Sequence, residues 1–409
     1  MNIVLRLAWR NIWRHPRRTW LTTGAMVFSN TLLVFMISLQ FGMYDLMINN
    51  TLQSFSGHLQ VQAPGYKDEQ KMRQSVPDIQ KLAARYREDS GFQNVAARGA
   101  AFALASSEER SYGIQVYGVE PAFEPGVSNI PGLVQEGRFL ADIDATEIVI
   151  GKVLARNLRV GIGDELTLLG TGRDGSFAAA IVSIVGIFDS SIPDLDRSIA
   201  EIPLGLFQDM FAMDGAGHQL VMTTPDLSDV PAAKQQAEKL LPFGSGLVVH
   251  DWEALQPGLK QAIQADLTSA WFMYGLLVIL VAFSVMNTQL MSVLERTREF
   301  GIVMSLGLTP GRLGRLVMLE TTLMGIVGLV LGALLGALVT SWFTVNGFAY
   351  PGMEELAAVF NLPARMYPRV TPGTLIAGPA AVFAGTLASA LYPALRLYWL
   401  QPVEAMRAG

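Results

Sequence analysis

Hydrophobic positions along this chain fall into four long runs rather than short amphipathic segments. Trp20–Tyr44, Leu267–Leu294 and Val370–Leu395 contain no charged residue, and Leu316–Met353 contains only Glu320. Each exceeds the roughly 20 apolar residues that cross a hydrocarbon core, so the pattern predicts four transmembrane helices. The first run continues beyond Tyr44 through Leu46, Met47 and Ile48, interleaved with Asp45 and Asn49, which predicts a helical stalk rising out of the membrane. Ahead of it, Asn2–His15 sets Ile3, Leu7, Trp9, Ile12 and Trp13 among arginines, the pattern of an amphipathic helix lying in the membrane interface and ended by Pro16.

Between the first two runs the period changes. Strand signals, rich in Val and Ile and bounded by Gly, Pro or Asp, cover Ser56–Ala63, Tyr112–Val119, Glu147–Ile150, Glu165–Leu169, Ala178–Phe188, Gln219–Thr223 and Leu247–His250. Helical composition covers Ser75–Ser90 and Val230–Leu240, the second opened by Ser228 or Asp229 as a cap with Pro231 in its first turn. Gly170–Gly175 joins two strand-like runs as a short hairpin loop.

Composition agrees with a membrane protein: 51% hydrophobic and 16% charged residues in 409, with a mean hydropathy of +0.34. Charge then orients it. Arg6, Arg10, Arg14, Arg17 and Arg18 precede Asp45 with no acid among them, and Glu295–Arg315 carries four arginines against two glutamates, so these ends are expected in the cytoplasm. Residues 49–266 hold 17 Lys/Arg and 28 Asp/Glu, a local net of −11, as suits a translocated domain. The expected fold is an α-helical membrane protein with four transmembrane helices and an α+β periplasmic domain inserted between helices 1 and 2.

Its segments are an amphipathic cytoplasmic helix (1–18), transmembrane helix 1 and stalk (19–48), the periplasmic domain (49–266) and transmembrane helix 2 (267–294). A cytoplasmic helix and turn (295–309), transmembrane helix 3 (310–345), a periplasmic loop (346–371), transmembrane helix 4 (372–397) and a cytoplasmic tail (398–409) complete it. The Arg-rich start reads as an uncleaved signal anchor, because its apolar run exceeds the usual 7 to 15 residues and no A-x-A-like site ends it.

Catalytic signatures do not occur. The chain has no G-x-x-x-x-G-K-[ST] phosphate loop, no H-E-x-x-H and no G-x-S-x-G elbow. It has no cysteine, which removes disulfides, thiolate chemistry and cysteine zinc sites. His15, His58, His218 and His250 are scattered in sequence, although His218 and His250 could meet in a fold; the acid pairs Asp142/Asp144 and Glu108/Glu109 read as solvated faces. A net charge of −5 argues against nucleic acid as a partner. The chain is expected to be a non-catalytic membrane subunit with no metal or cofactor of its own.

The informative segment follows the second run. Glu295, Arg296, Arg298 and Glu299 alternate in sign at helical spacings, Phe300, Val303 and Leu306 supply an apolar side, Gly307 is a natural helix stop, and Thr309-Pro310 starts the next helix. The pattern is a short amphipathic helix turning sharply into the third span, either an ordinary interfacial helix or a peg that docks in a partner. Within the membrane, Gly328, Gly332 and Gly336, flanked by Gly325, form a small-residue stripe for close helix packing. Glu320 calls for a partner, Arg315 or an arginine of the N-terminal helix. Met36, Met43, Met47, Phe272 and Met273 are soft side chains suited to acyl chains, as cargo or lipid.

Three motifs in order carry a family resemblance. Glu295-Arg-Thr-Arg-Glu-Phe-Gly-Ile-Val-Met-Ser-Leu-Gly307 resembles the E-R-x-R-E-x-G-x-x-x-(A/S)-x-G signature of FtsX-like, MacB-type permeases, the membrane subunits of type VII ABC systems that include LolC and LolE. Leu7-Ala-Trp-Arg-Asn-Ile-Trp-Arg-His-Pro-Arg-Arg-Thr19 resembles their N-terminal signature, and Tyr392-Pro-Ala-Leu-Arg through Pro402-Val-Glu-Ala-Met-Arg407 their C-terminal one, with Arg396–Tyr398 departing from the usual small residues. Glu147–Leu168 resembles part of their periplasmic core.

The resemblance implies a permease that moves force rather than substrate across the membrane. ATP and magnesium would be bound by a separate cytoplasmic ABC ATPase dimer, and a second permease, identical or paralogous, would complete the complex. Glu295, Arg296, Arg298, Glu299, Gly301 and Gly307 would couple the chain to that ATPase. It further implies a bacterial inner membrane location and, for an unfused four-span permease, lipoprotein release toward the outer membrane, with a periplasmic carrier or adaptor. The alternatives are MacB-like export of a peptide or lipid through an adaptor, or FtsX-like regulation of a cell-wall hydrolase. The short Gly170–Gly175 loop argues against direct docking of a carrier.

Overall fold

The computed structural model describes residues 3–14, 16–88, 92, 94–349, 351–353 and 365–399. Two compact units arise, one drawn from Met1–Tyr44, Ala262–Pro351 and Arg365–Gly409, the other from Asp45–Gln261 and Gly352–Ala364. The first helix, α1 (Ile3–Ile12), ends before Pro16, which opens α2 (Pro16–Thr51) at the position where a proline costs no hydrogen bond. Thr19 Oγ1 donates to the Ile12 carbonyl at 2.6 Å across this break. The 36 residues of α2 make a helix about 54 Å long at 1.5 Å per residue, well beyond the ~30 Å hydrocarbon core.

In the outer unit, α2 gives way to a π-helical turn, Leu52–Ser56, that ends at Gly57 (φ +66°), where a Cβ would lie 2.5 Å from Val221. The chain then forms β1 (Leu59–Gln62), α3 (Tyr66–Glu69), α4 (Ile79–Arg87), β2 (Asn94–Ser106), β3 (Ser111–Val119) and α5 (Glu124–Val127). It continues through β4 (Val134–Gly137), β5 (Glu147–Gly151), α6 (Lys152–Leu158), β6 (Glu165–Thr171), β7 (Phe177–Phe188), α7 (Pro193–Ser198), β8 (Ile199–Pro203) and α8 (Leu204–Met210). The unit closes with β9 (Gln219–Thr223), α9 (Val230–Leu240), β10 (Val248–Asp251) and α10 (Trp252–Leu255).

One mixed sheet of ten strands runs β10-β1-β9-β2-β3-β8-β5-β7-β4, with β6 paired to both β2 and β7. Among the described residues, only the β3/β8 and β5/β7 pairs are parallel. Ile148, Ile150, Leu166, Leu168, Ile202, Phe207 and Leu220 are among the fully buried residues of its core.

Three strands lie outside the sequence signals. The longest, β2, reads Asn-Val-Ala-Ala-Arg-Gly-Ala-Ala-Phe-Ala-Leu-Ala-Ser, a composition with more helix than strand propensity. Small residues suit its place between β9 and β3: a Cβ on Gly99 would sit 2.2 Å from the Phe207 ring, and one on Gly118 would sit 2.3 Å from Phe207 Cβ. Strands β4 and β8 are short and were masked by neighbouring loop signals. The expected strand Ser56–Ala63 starts only at Leu59, since its first residue closes the π-turn. Of the caps expected at Ser228 or Asp229, Asp229 stands at the N-cap position of α9 but makes no side-chain cap hydrogen bond; Asp226 caps the preceding 3-10 turn, Leu227–Asp229, by accepting from Ser228 N at 2.7 Å.

A charged cluster lies inside this unit. Arg98 on β2 and Glu124 on α5 are fully buried, joined by Arg98 Nε donating to Glu124 Oε2 at 3.0 Å and by a second contact between the same groups. Arg98 also donates to the Phe55 carbonyl in the π-turn and lies 4.3 Å from the centroid of the Phe55 ring, which packs edge-on against Tyr117. Burial, with Glu124 nearby, pushes the Glu201 carboxyl well above the usual carboxylate range. Arg98 therefore pins the end of the stalk helix to the sheet.

The remaining helices are α11 (Pro257–Glu295), α12 (Thr297–Ser305), α13 (Pro310–Asn346) and α14 (Pro372–Arg396). Together with α2, the three long ones are each long and apolar enough to cross a membrane. The glycine stripe of α13 packs inside this chain. Added Cβ atoms would meet Met26 at 2.8 Å from Gly328, Asn30 Cβ at 2.4 Å from Gly332 and Val34 at 2.8 Å from Gly336, all on α2, whereas Gly325 faces Phe383 of α14 at 3.0 Å. Asn30 Nδ2 donates to the Gly328 carbonyl at 3.1 Å, and Thr31 Oγ1 to that of Gly332 at 3.3 Å, adding polar links where the backbones approach. Replacing Gly332 by valine is expected to lower stability by about 1–3 kcal/mol through overpacking against α2. Thermal unfolding in detergent checks it against Gly24→Ala, where nothing lies within 4 Å and no loss is expected.

Candidate coupling site

The turn between α11 and α13 is built by local chemistry. Arg296, at φ −97° and ψ 8°, breaks the helix after Glu295, and α12 occupies the next nine residues. Gly307 then adopts φ +97°. Its N–H donates to the Met304 carbonyl at 3.0 Å and that of Leu308 to Val303 at 3.3 Å, the paired bonds of a Schellman stop. Thr309 is extended, and Pro310 is the first residue of α13.

Phe300 and Met304 bury the inner face of α12 against Val293, Leu313, Val317 and Leu397. The charges divide. Glu295 is exposed and pairs with Arg18 at 3.2 Å; Glu299 is exposed and lies 3.5 Å from both Arg14 and Arg296. Arg298 is exposed, with no ion-pair partner among the described residues. Gly301 is buried on the inner face.

Arg296 turns inward, 13% exposed, to Glu320 at 3.3 Å, and Asn11 Nδ2 donates to Glu320 Oε1 at 2.7 Å. Glu320 is thus paired with Arg296 and Asn11, not with Arg315 or an arginine of α1. It ties α1, α12 and α13 at one buried point.

The apolar side inferred from sequence also needs correction. Six residues of helix rotate about 240°, so Leu306 cannot share a face with Phe300. It is 81% exposed at the end of the peg, with Ile302 at 47% and Leu308 at 38% beside it. The turn therefore presents an exposed apolar tip rimmed by Arg298 and Glu299. The Gly-Leu-Thr-Pro stop signal could have revealed it, because residues around a Schellman glycine leave the helix axis.

The other sequence candidates lie elsewhere. Met36, Met43, Phe272 and Met273 are exposed on α2 and α11. Between them Tyr44 Oη donates to Asp266 Oδ2 at 2.6 Å and Tyr274 Oη to Gln40 Oε1 at 2.8 Å, joining the two helices. Met47 is half-buried and lines a cavity of about 630 Å³ in the outer unit with Phe55, Ile130 and Leu133.

Two of the described histidines hold backbone by hydrogen bonds. His218 stacks on Tyr66 and accepts from Ala100 N at 3.0 Å, and burial pushes its pKa down to about 4. His58 Nδ1 accepts from Thr224 N at 2.9 Å. His250 pairs with Gln60 across β10 and β1. His15 and the C-terminal signature from Pro402 to Arg407 lie outside the described residues. Among the described residues, no group of three His, Asp or Glu is placed to hold a metal ion.

Four membrane-length helices, a mixed α/β unit inserted between the first two and a short amphipathic helix between the second and third define the layout of a multi-span membrane protein. The MacB-like periplasmic core domain model matches residues 19–240, and the FtsX-like permease C-terminal model matches residues 271–402. The chain belongs to this family of ABC transporter permeases. Among curated proteins, it is 27% identical over 322 residues to the lipoprotein-releasing system transmembrane protein LolC of Xylella fastidiosa, covering 73% of this chain and 74% of that one. It is 25% identical over 318 residues to LolE of Haemophilus influenzae, covering 74% of each. The periplasmic region of MacB from Actinobacillus actinomycetemcomitans aligns with 53% of this chain and 95% of its own at 14% identity and a TM-score of 0.39.

Permeases of this family are generally non-catalytic membrane subunits, ABC permease subunits bind no cofactor themselves, and the family implies an ATPase partner and a dimeric arrangement. Four apolar helices and a MacB-like periplasmic domain fit a bacterial inner-membrane protein.

Proposed function

We propose that this chain is the inner-membrane permease of a lipoprotein-releasing ABC system, in which α12 carries ATP-driven closure of a separate ATPase dimer to the stalk and the outer domain. ATP and magnesium belong to that ATPase, both termini face the cytoplasm, and residues 49–266 face the periplasm. The partner permease is a second copy or a paralogue. The observation that carries the coupling role is the exposed tip of Ile302, Leu306 and Leu308 on a helix whose other face is anchored by Phe300, Met304 and the Arg296–Glu320 pair. Likeness to LolC and LolE supports lipoprotein release as the cargo reading.

Replacing Leu306 by aspartate tests it. At 81% exposure the side chain contributes little to folding, so stability is expected to change by about 0.5 kcal/mol or less. A charge in the apolar seat should abolish capture of the cognate ATPase and stimulated hydrolysis. Gly307→Val acts by strain alone, since nothing lies within 4 Å of an added Cβ but φ +97° disfavours a β-branched residue. ATPase capture by both variants at the wild-type level would make α12 an ordinary interfacial helix.

A further inference from the structure

We infer that α1 and the first turn of α2 form a binding surface for anionic phospholipid headgroups of the cytoplasmic leaflet. Arg6, Arg10 and Arg17 are exposed and have no ion-pair partner among the described residues, whereas Arg14 and Arg18 are engaged by Glu299 and Glu295. Each unpaired arginine precedes an exposed tryptophan by three residues: Arg6 and Trp9, Arg10 and Trp13, Arg17 and Trp20. Residues three apart share a helix face, so cation and indole recur side by side.

The three rings form one ladder. Trp9 and Trp13, then Trp13 and Trp20, meet edge-on with centroids 6.1 Å apart, so the ladder continues across the break at Pro16. The opposite side of α1 is occupied: Ala8 and Ile12 are buried, and Asn11 binds Glu320 of α13. What remains outward is indole, which favours the membrane interface, beside guanidinium, which pairs with phosphate in two parallel hydrogen bonds. No acid occurs among the first 44 residues to repel an anion.

The occupant is an anionic diacyl phospholipid rather than a soluble phosphate, because the cations are interleaved with apolar rings at the foot of a membrane-length helix. The surface bears on coupling through its neighbours: Arg14 and Arg18, set among the lipid-facing arginines, brace the entry to α12 through Glu299 and Glu295. Lipid holding α1 thereby steadies the seat of the peg. This inference rests on the cytoplasmic placement of the N-terminus proposed above.

The test uses the full chain with Trp252, Trp271, Trp342 and Trp399 replaced by phenylalanine, so that only the ladder fluoresces. It is reconstituted into phosphatidylcholine nanodiscs carrying an equal fraction of brominated phosphatidylglycerol or brominated phosphatidylcholine. Several-fold stronger quenching by the phosphatidylglycerol is expected. The triple variant R6Q/R10Q/R17Q should fall to the phosphatidylcholine level while its quenching by brominated phosphatidylcholine stays unchanged, which reports an intact ladder. The single variant R10Q, expected to lose part of the preference, serves if the triple does not fold.

Equal quenching by the two lipids in the unsubstituted arginine background would overturn the proposal, as would a preference surviving in the triple variant. A cysteine at Asp174, in a chain with no native thiol, separately reports orientation. Its labelling only after the inner membrane is permeabilised would refute the topology and the leaflet assigned here, whatever the quenching shows.

Discussion

Replacing Arg98 by methionine is expected to destabilise the outer domain by about 3–5 kcal/mol, enough to unfold it or leave it open to protease. Breaking a buried ion pair from one side leaves the other charge uncompensated, and Glu124 is fully buried. The same change removes the donor to the Phe55 carbonyl and the cation over its ring, so the π-turn at the end of the stalk loses its attachment to the sheet. The double variant R98M/E124L removes both charges and should recover most of the stability, because well-packed apolar replacements of a buried pair are often neutral or better. Recovery of stability need not restore function, since the anchor to Phe55 stays lost. Thermal unfolding of the full chain, with trypsin sensitivity of residues 45–261, measures both variants. Wild-type behaviour of Arg98→Met would mean that the cluster is incidental.

Replacing Glu320 by alanine is expected to cost about 2–3 kcal/mol and to remove the polar link of α13 to α1 and to Arg296 at the entry of α12. Arg296 retains 13% exposure and a second carboxylate, Glu299, at 3.5 Å, so the penalty falls short of that for a fully enclosed charge. Asn11 loses its acceptor at 2.7 Å, which weakens the hold of α13 on α1. The apolar seat of Phe300 and Met304 remains, so capture of the ATPase should persist in part while stimulated hydrolysis falls more steeply. The exchange R296E/E320R keeps one charge of each sign and should recover part of the loss. Stimulated hydrolysis and capture, measured on the same preparations, separate the two effects; equal losses in both, with no recovery by the exchange, would assign Glu320 to folding alone.

The two sites were legible to different depths. The helix stop at Gly307 and the start at Thr309-Pro310 follow from backbone preferences of those residues, and the geometry there needs nothing distant. Glu320 was conspicuous as a lone acid in an apolar run, yet its partner was not, since a residue 24 positions earlier and another more than 300 positions away meet it only once three helices pack. Arg98 carried no signal: it lies in an alanine-rich segment whose composition does not even announce a strand.

The sequence by itself determined the four spans, the inserted α+β unit and the amphipathic turn, because hydrophobic run length, periodicity and glycine or proline stereochemistry are local properties of the chain. Tertiary structure alone decided that Arg296 faces inward, that Leu306 forms the exposed tip, that the α13 glycines admit α2 and that Ala-rich β2 lies inside a ten-stranded sheet. Those outcomes depend on which surfaces compete for the same space and on which buried charges find a counter-charge, and both are settled only when segments distant in sequence are brought into contact.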